Sequence, residues 1–292
     1  MSTILAIDLG GSRLRAGLAE RGAPANVTTL GDWAAPTDIG GFKGRVESWL
    51  AEHGADRLGI AIPGLARGTT AVWVPNLPYL DGEDLAELFP NPEIGLGHDA
   101  QLALLAEVTA GAAQGMTDAI LLAIGTGIGS AVLAGGRIVR GATGAACSFG
   151  WASADMDDPG QERLGWLERQ ASGRVLDAAA AAMGLKSGTA LMTAARSGSS
   201  AAIAVLEPPM QALGTALAGA VALLDPQAVI LAGGVASGTD VIGPLLLTAM
   251  RRHLPPHLQE IAVRAGRFGP RAGLVGAAVA GAYGRNWGDR NG

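Results

Sequence analysis

The pair His98-Asp99 closes a short apolar run and is well placed in this chain to take a proton. A carboxylate beside an attacking hydroxyl acts as a general base, an effect of about 10²–10⁴ in rate. A plainer use stays open beside it: Asp99 as the N-cap of a helix from Ala100, which is compatible with catalysis. Asp8 stands just ahead of Gly10-Gly11-Ser12-Arg13. It reads either as a turn former or as an outer-sphere partner of Mg²⁺, an ion that keeps its waters and needs few carboxylates. Arg13 offers a two-pronged donor to a β- or γ-phosphate, or a solvated strand-end charge. A second glycine run, Gly125-Thr126-Gly127-Ile128-Gly129-Ser130, carries no ionisable side chain. Its asset is bare backbone N–H, which binds phosphate oxygens well. Two such turns facing each other across a cleft would grip one polyphosphate from both sides, which points to an ATP-using enzyme.

The elements around these residues are α/β. Ile4–Ile7 and Leu14–Leu18 predict a hairpin around the first glycine turn, and Ala119–Ile124 with Ala131–Ala134 predict another around the second. Residues 38–53 have apolar positions at helical spacing (Ile39, Phe42, Val46, Trp49, Leu50). Leu58–Ile62 reads as a buried strand ended by Pro63-Gly64. Thr69–Val74 follows as a strand, Leu85–Leu88 as a short helix, and Ile94–Leu96 as the strand that runs into His98. Residues 100–111 predict a helix with Glu107 on its polar side. Helices are expected over 164–182, 185–195, 241–253 and 272–283. A long apolar helical region, 201–224, is expected to break near Pro208-Pro209. Strands are expected at Ala228–Leu231, ending in Ala232-Gly233-Gly234-Val235, and at 260–264, and the last residues read as frayed. Alternating strands and helices argue for α/β layers, and the two halves read as distant copies. The glycine spacing G-x-G-x-G followed by a strand excludes a dinucleotide fingerprint, and no P-loop motif is present.

With 292 residues, 49% of them hydrophobic and 16% charged, the chain can build two cores. The net charge of −5 and the lack of a basic run argue against a nucleic-acid partner. One cysteine, Cys147, excludes an internal disulfide framework. It reads as a small buried hydrophobe rather than a nucleophile. The apolar runs fall below the ~18 residues a membrane span needs. With no leader-like segment ahead of the first strand, a cytoplasmic protein is expected.

In this order the motifs resemble those of the ROK family of sugar kinases (repressor, open reading frame, kinase), within the actin, heat-shock ATPase and hexokinase fold group. Asp8-Leu9-Gly10-Gly11-Ser12 is similar to the first phosphate motif and Gly125-Thr126-Gly127-Ile128-Gly129 to the second. Ile62-Pro63-Gly64 resembles the Pro-Gly turn, Asn76-Leu77-Pro78 the sugar loop, and His98-Asp99-Ala100 the Asn-Asp-Ala catalytic motif. Gly165-Trp166-Leu167-Glu168, with Ser172-Gly173, resembles the stretch that supplies a sugar-binding glutamate. Ala232-Gly233-Gly234-Val235 resembles the adenosine motif. The resemblance implies two ribonuclease H-like, actin-like ATPase domains with a central cleft. Their expected bounds are 1–107, completed by a C-terminal helix over 272–285, and 108–271.

The resemblance further implies phosphoryl transfer from ATP to a sugar hydroxyl, with C6 expected, and Asp99 as base. Asp8 would hold Mg²⁺ through water. Gly10, Gly11, Ser12, Arg13, Gly125, Thr126, Gly127, Gly129, Gly233 and Gly234 would bind ATP. Gly64, Asn76, His98, Asp99, Ser148, Trp151 and Glu168 would bind the sugar. Asn76 also reads as a turn former, Glu168 as a surface glutamate, Gly233-Gly234 as a plain turn, and Trp151 as a core tryptophan.

Two departures matter. Ser148 and Trp151 stand where the family has Glu and His, and His98 stands for Asn. The substrate expected is therefore something other than plain glucose, such as an amino sugar, an acylamino sugar or another polyol. The family's cysteine-rich zinc motif is replaced by 159–166, which contains no cysteine, so no zinc site is expected. A sugar substrate and a homodimer are expected as partners. The alternatives are a non-catalytic sugar sensor derived from such a kinase, a polyphosphate-dependent glucokinase, or an ATPase of the same fold group.

Overall fold

A computed structural model describes residues 2–288 and divides the chain into two compact units. The first unit runs through Gly115 and takes in Gly136–Ala146 and the chain from Arg271; the second holds Met116–Gly135 and Cys147–Pro270.

In the first unit, β1 (Thr3–Leu9), β2 (Arg13–Glu20) and β3 (Thr28–Ala34) form an antiparallel ladder. Helix α1 (Ile39–His53) follows, capped by Asp38, whose carboxylate accepts from Gly41 N at 2.8 Å. Next come β4 (Arg57–Ile62), a small hairpin of β5 (Leu65–Arg67) and β6 (Thr70–Trp73), and α2 (Leu85–Leu88). Strand β7 (Glu93–His98) leads into α3 (Asp99–Ala110). The sheet order is β3-β2-β1-β4-β7, with β4 parallel to β1 and β7 parallel to β4. All six residues of β4 are buried, as expected for a parallel strand covered on both faces. One face carries α1 and the cluster of Leu5, Ile7, Phe42, Val46, Leu58 and Ile60.

The chain returns to this unit at its end. Helix α9 (Ala272–Tyr283), made of alanine, glycine and a few aliphatics, packs on β1, β4, β7 and α3. Its last carbonyls, those of Gly281 and Ala282, accept from the buried Arg57 guanidinium at 3.2 and 2.9 Å. That bond set satisfies a helix end that lies away from water. Just beyond, the buried Trp287 donates its indole N–H to Leu96 O at 2.7 Å, on the sheet-edge strand β7. The guanidinium of Arg140 stacks on the Trp287 ring, 4.3 Å from its centroid.

The second unit repeats the plan. Strands β8 (Ala119–Ile124) and β9 (Ile128–Ala134) form an antiparallel hairpin; the two-residue β10 (Arg137–Ile138) that follows falls in the stretch Gly136–Ala146 counted with the first unit. Helices α4 (Trp166–Ala171), α5 (Gly173–Ala182), α6 (Gly188–Arg196) and α7 (Ser200–Leu224) precede β11 (Ala228–Gly233), α8 (Thr239–Arg251) and β12 (Ala262–Ala265). Strand β11 lies parallel to both β8 and β12. The order β9-β8-β11-β12 is thus an antiparallel pair continued by two parallel strands, as in β2-β1-β4-β7. The expectation of α/β layers in two related halves is met.

Four local expectations are corrected. Helix α7 does not break: it runs 25 residues through Pro208 and Pro209. The prolines remove donors to Ala204 O and Val205 O, which sit on the exposed and half-buried side, while Leu206, Met210, Leu213, Leu217 and Val221 are buried and hold the helix to the core. The single helix expected over 164–182 is instead two, α4 and α5, parted at Ser172. Glu107 is not on a polar face: it is fully buried, and its carboxylate accepts from Ala112 N at 2.7 Å just past the end of α3. The last residues, expected to fray after Tyr283, form a short helical turn over Gly284–Asn286 and bury Trp287; the rest of that stretch, 289–292, lies outside the described residues.

Candidate functional site

In the first unit the glycine turn is closed by Gly10 N donating to Arg13 O at 2.8 Å. Gly11 and Ser12 are therefore the loop, and the antiparallel register places Asp8 opposite Arg15. The Arg15 guanidinium bridges two carboxylates, Asp8 at 3.3 Å and Asp32 of β3 at 3.2 Å. Arg13 is more exposed and pairs with Asp32 at 2.8 Å. Burial, followed by the negative charge of Asp99, pushes the Asp8 carboxyl up from 3.8 to about 6, with Arg15 pulling the other way. Asp8 and Asp99 thus belong to one electrostatic neighbourhood, built where the carboxyl ends of β1 and β7 meet the following turn and helix.

His98, not Asp99, is the N-cap of α3. Its Nδ1 accepts from Ala100 N at 3.2 Å and lies 3.2 Å from Asp99 Oδ1, which accepts from the same N–H at 2.6 Å. Accepting that bond leaves Nε2–H as the donor edge of the ring. Asp99 occupies the first helical position with its side chain 43% exposed, so one carboxylate oxygen is anchored and the other is open to a ligand. The cap reading of Asp99 passes to its neighbour.

Asn76 is brought to the first glycine turn. A Cβ on Gly11 would lie 2.7 Å from Asn76 Cβ, so the lack of a side chain at 11 is what admits Asn76. Gly64 is buried and packs on the backbone of Trp73 and Val74, at the start of the loop that carries Asn76.

In the second unit, the turn after β8 is held by Gly125 N donating to Gly127 O at 3.0 Å, and by Gly173 N donating to Gly125 O at 2.8 Å. The Gly125 and Thr126 positions are exposed, Gly127 and Gly129 half-buried. Glu168, in the first turn of α4, lies directly behind this turn: a Cβ on Gly127 would sit 2.6 Å from Glu168 Oε1. On the other side, a Cβ on Gly150 would lie 3.4 Å from Glu168 Oε2. Burial pushes the Glu168 carboxyl up, opposed by Arg174, whose Nη2 lies 3.5 Å from Oε1. Glu168 is therefore not a solvated surface glutamate.

Ser148 is exposed and Trp151 is 51% exposed, so Trp151 is not a core tryptophan. Cys147 is half-buried with φ of 69°, a left-handed conformation, and its carbonyl accepts from Ser130 Oγ. Burial pushes its thiol up, away from nucleophile chemistry.

Gly233, with φ of 76°, ends β11 beside Ile124, and Gly234 opens the next turn. With Ala236, Ser237 and the stretch Gly266 to Pro270 they line a cavity of about 320 Å³. It opens beyond the carboxyl ends of β11 and β12, where open α/β sheets take ligands. The Gly266–Pro270 wall and Arg15 were absent from the sequence-based set. Arg15 could have been found from the two-residue turn, which dictates its register against Asp8. The wall had only a glycine-proline-rich stretch after a strand to mark it.

Two α/β units, each with a strand–glycine turn–strand opening, define the actin and hexokinase class of ATPase folds. Within it, this chain belongs to the ROK family, whose model matches residues 5–281. It is 31% identical to an N-acetylmannosamine kinase of Shigella flexneri, over 95% of this chain and 97% of that protein. It is 27% identical to a glucokinase of Streptomyces coelicolor, over 95% and 97%. A ROK glucokinase of Streptomyces griseus, solved with glucose and AMPPNP, superposes with a TM-score of 0.80 at 26% identity, covering 97% of this chain and 100% of that one. Among the described residues, no group of three or more His, Cys, Asp or Glu could hold a metal ion, and no helix is long and apolar enough to cross a membrane.

Proposed function

We propose that this sugar kinase transfers the γ-phosphate of ATP to a hydroxyl of a hexose, amino sugar or related polyol, with Asp99 as general base. The observation that carries the reading is the Asp99 carboxylate, at the start of α3 with one oxygen anchored and the other open, in the electrostatic field of Asp8. The hydroxyl gives its proton to the open Asp99 oxygen as its own oxygen bonds to the γ-phosphorus. The bond from that phosphorus to the bridging oxygen breaks, and ADP leaves. Catalysis of this kind is mostly positioning and electrostatics.

Backbone N–H groups of Gly11 and Ser12 and of Thr126, Gly127 and Gly129 hold phosphate oxygens, on turns that the N–H groups of Gly10 and Gly125 close, with Arg13 at the strand end. Gly233 and Gly234 serve adenosine in the cavity they line. The donor chemistry at Asp8 fits Mg²⁺: a largely buried carboxylate in the field of a second one, both oxygen ligands, with its proton affinity raised by burial and by the charge of Asp99. Mg²⁺ held there through water would neutralise charge on the phosphates. Gly64, Asn76 and His98 in the first unit, and Ser148, Trp151 and Glu168 in the second, would contact the sugar. The exposed Trp151 face suits stacking on a ring, and Ser148, smaller than a glutamate, leaves room for a bulkier substituent such as an acylamino group. The 31% identity to an N-acetylmannosamine kinase favours that class.

The test is ADP release with Mg-ATP over N-acetylmannosamine, N-acetylglucosamine, glucosamine, glucose, mannose and polyols, with Asp99→Ala as control and inorganic polyphosphate as a second donor. Sugar-dependent turnover that falls at least about 10²-fold in the variant is expected. Turnover unchanged in Asp99→Ala would remove the base. No turnover, with a sugar-dependent rise in Tm, would make the chain a sensor.

A further inference from the structure

Arg174 is oddly placed for a residue that only stabilises the fold. It is the second residue of α5, where the helix end is electropositive and a cation is unfavourable. Its side chain is 58% exposed, yet its guanidinium is held at two points. Nε donates to Thr126 O at 3.1 Å, on the glycine turn after β8. Nη2 faces Glu168 Oε1 at 3.5 Å, a pair too long for a strong hydrogen bond and therefore easily exchanged. The preceding residue, Gly173, donates its N–H to Gly125 O at 2.8 Å, so the start of α5 is fastened to the same turn. Glu168 in turn is wedged between Gly127 of that turn and Gly150. One arginine thus joins a half-buried carboxylate to the backbone of a glycine turn.

We propose that Arg174 is a positioning residue that couples occupancy of the sugar site to the phosphate turn. This rests on the reading of Glu168 as a ligand of sugar hydroxyls and of Gly125–Gly129 as a phosphate cradle. Without sugar, Glu168 shares its charge with Arg174, and the fork is divided between carboxylate and turn. When sugar hydroxyls donate to Glu168, the long Arg174–Glu168 contact yields. The guanidinium then settles on the turn, adding its positive charge where a polyphosphate binds. A planar fork holds its donors apart in a fixed geometry that matches a carboxylate on one side and a turn carbonyl on the other; an ammonium offers its three donors from a single point and reaches such separated partners less well.

The coupling is measured by calorimetry as the Kd for a non-hydrolysable ATP analogue with Mg²⁺, without sugar and with saturating N-acetylmannosamine or glucose. Wild-type protein, Arg174→Gln, Arg174→Lys and Glu168→Gln are compared. In the wild type, sugar is expected to tighten nucleotide binding at least about fivefold, and nucleotide to tighten sugar binding by the same factor. In Arg174→Gln that factor falls to near one and Arg174→Lys recovers only part of it, while in these two variants each single Kd changes less than the coupling does; Glu168→Gln loses sugar affinity together with the coupling. A merely structural arginine would lower Tm and leave the factor intact, and that result overturns the proposal. So does a wild-type factor of one, or the failure of both sugars to bind. The kinase reading is judged separately, by turnover and its loss in Asp99→Ala: coupling kept in Arg174→Gln alongside normal turnover sinks only the role of Arg174.

Discussion

The two glycine turns share a backbone and differ in everything attached to it. After β1, the turn sits in a nest of charge: Asp8, Arg13, Arg15, Asp32 and the nearby Asp99. After β8, the turn carries no ionisable side chain, and its charges, Glu168 and Arg174, come from helices behind it. Yet each turn has one glycine whose missing side chain makes space for an expected sugar ligand, Gly11 for Asn76 and Gly127 for Glu168. The two hairpins share the strand–glycine turn–strand backbone, but only the first has ionisable side chains on the hairpin strands beside its turn; the second takes its charges from the helices behind it. Variants that treat the two turns alike should therefore behave differently.

The largest contrast is expected from Gly127→Ala against Gly11→Ala. The Cβ at 127 would press 2.6 Å from a half-buried carboxylate oxygen wedged against Gly150. A shift of about 1 Å in such a ligand costs about 10²-fold, and that loss is expected in kcat/KM for the sugar. The Cβ at 11 would press on an exposed loop residue that can yield, so the loss is about tenfold, the worth of roughly one hydrogen bond. Steady-state kinetics on folded protein, with Tm as a check, decides it. Equal losses would mean that Glu168 has no more to do with the sugar than a loop asparagine.

How much of this could be read from the chain depends on range. The hairpins were legible because apolar runs bracket each glycine turn, and a helix over 272–283 was legible because its composition and length leave little else. The Asp8–Arg15 pair was legible in principle, being dictated by a two-residue turn. The contacts Gly11–Asn76 and Gly127–Glu168 join residues far apart in sequence, and no periodicity announces them. Glu107 was misread for a different reason. Residues Ala100–Glu107 are all buried, so α3 has no polar face for a pattern to reveal. Helix α7 was misread because proline is a strong local signal that a row of buried leucines overrode.

The charge in the first turn should make its chemistry and stability pH-dependent through a residue of the hairpin itself, whereas the second turn's own residues carry no group that titrates. The Asp8 carboxyl is raised in the fold from 3.8 to about 6. A carboxyl with a raised folded value contributes stability below its unfolded value, and this is lost as pH climbs through about 6. A shift of about 2 units corresponds to about 3 kcal/mol at pH 8. Asp8→Asn, which removes the buried charge, should therefore be more stable than wild type at pH 8 and no more stable at pH 4, while losing Mg-ATP turnover. Thermal unfolding from pH 4 to 8 without ligand measures it. A Tm difference that stays constant with pH would show that Asp8 does not titrate in this range. A change at Thr126 should give no such trend.

The smallest effect separates the two arginines of β2, which are neighbours on one face and look equivalent in the sequence. Arg15 touches both Asp8 and Asp32, whereas Arg13 reaches only Asp32, from an exposed position. An exposed pair adds little to stability, so Arg13→Ala should leave Tm nearly unchanged and act only by weakening ATP binding a few-fold, if its guanidinium reaches a phosphate. Arg15→Ala removes the one cation that opposes the rise at Asp8. The acid limb of its pH–rate profile should move up by about one unit, since a partly exposed opposite charge shifts a carboxyl by no more than the low end of the usual range. Should Arg13→Ala move that limb instead, the arginine nearer the turn would be the one that governs Asp8, and the register-derived pairing of Asp8 with Arg15 would be an electrostatic bystander.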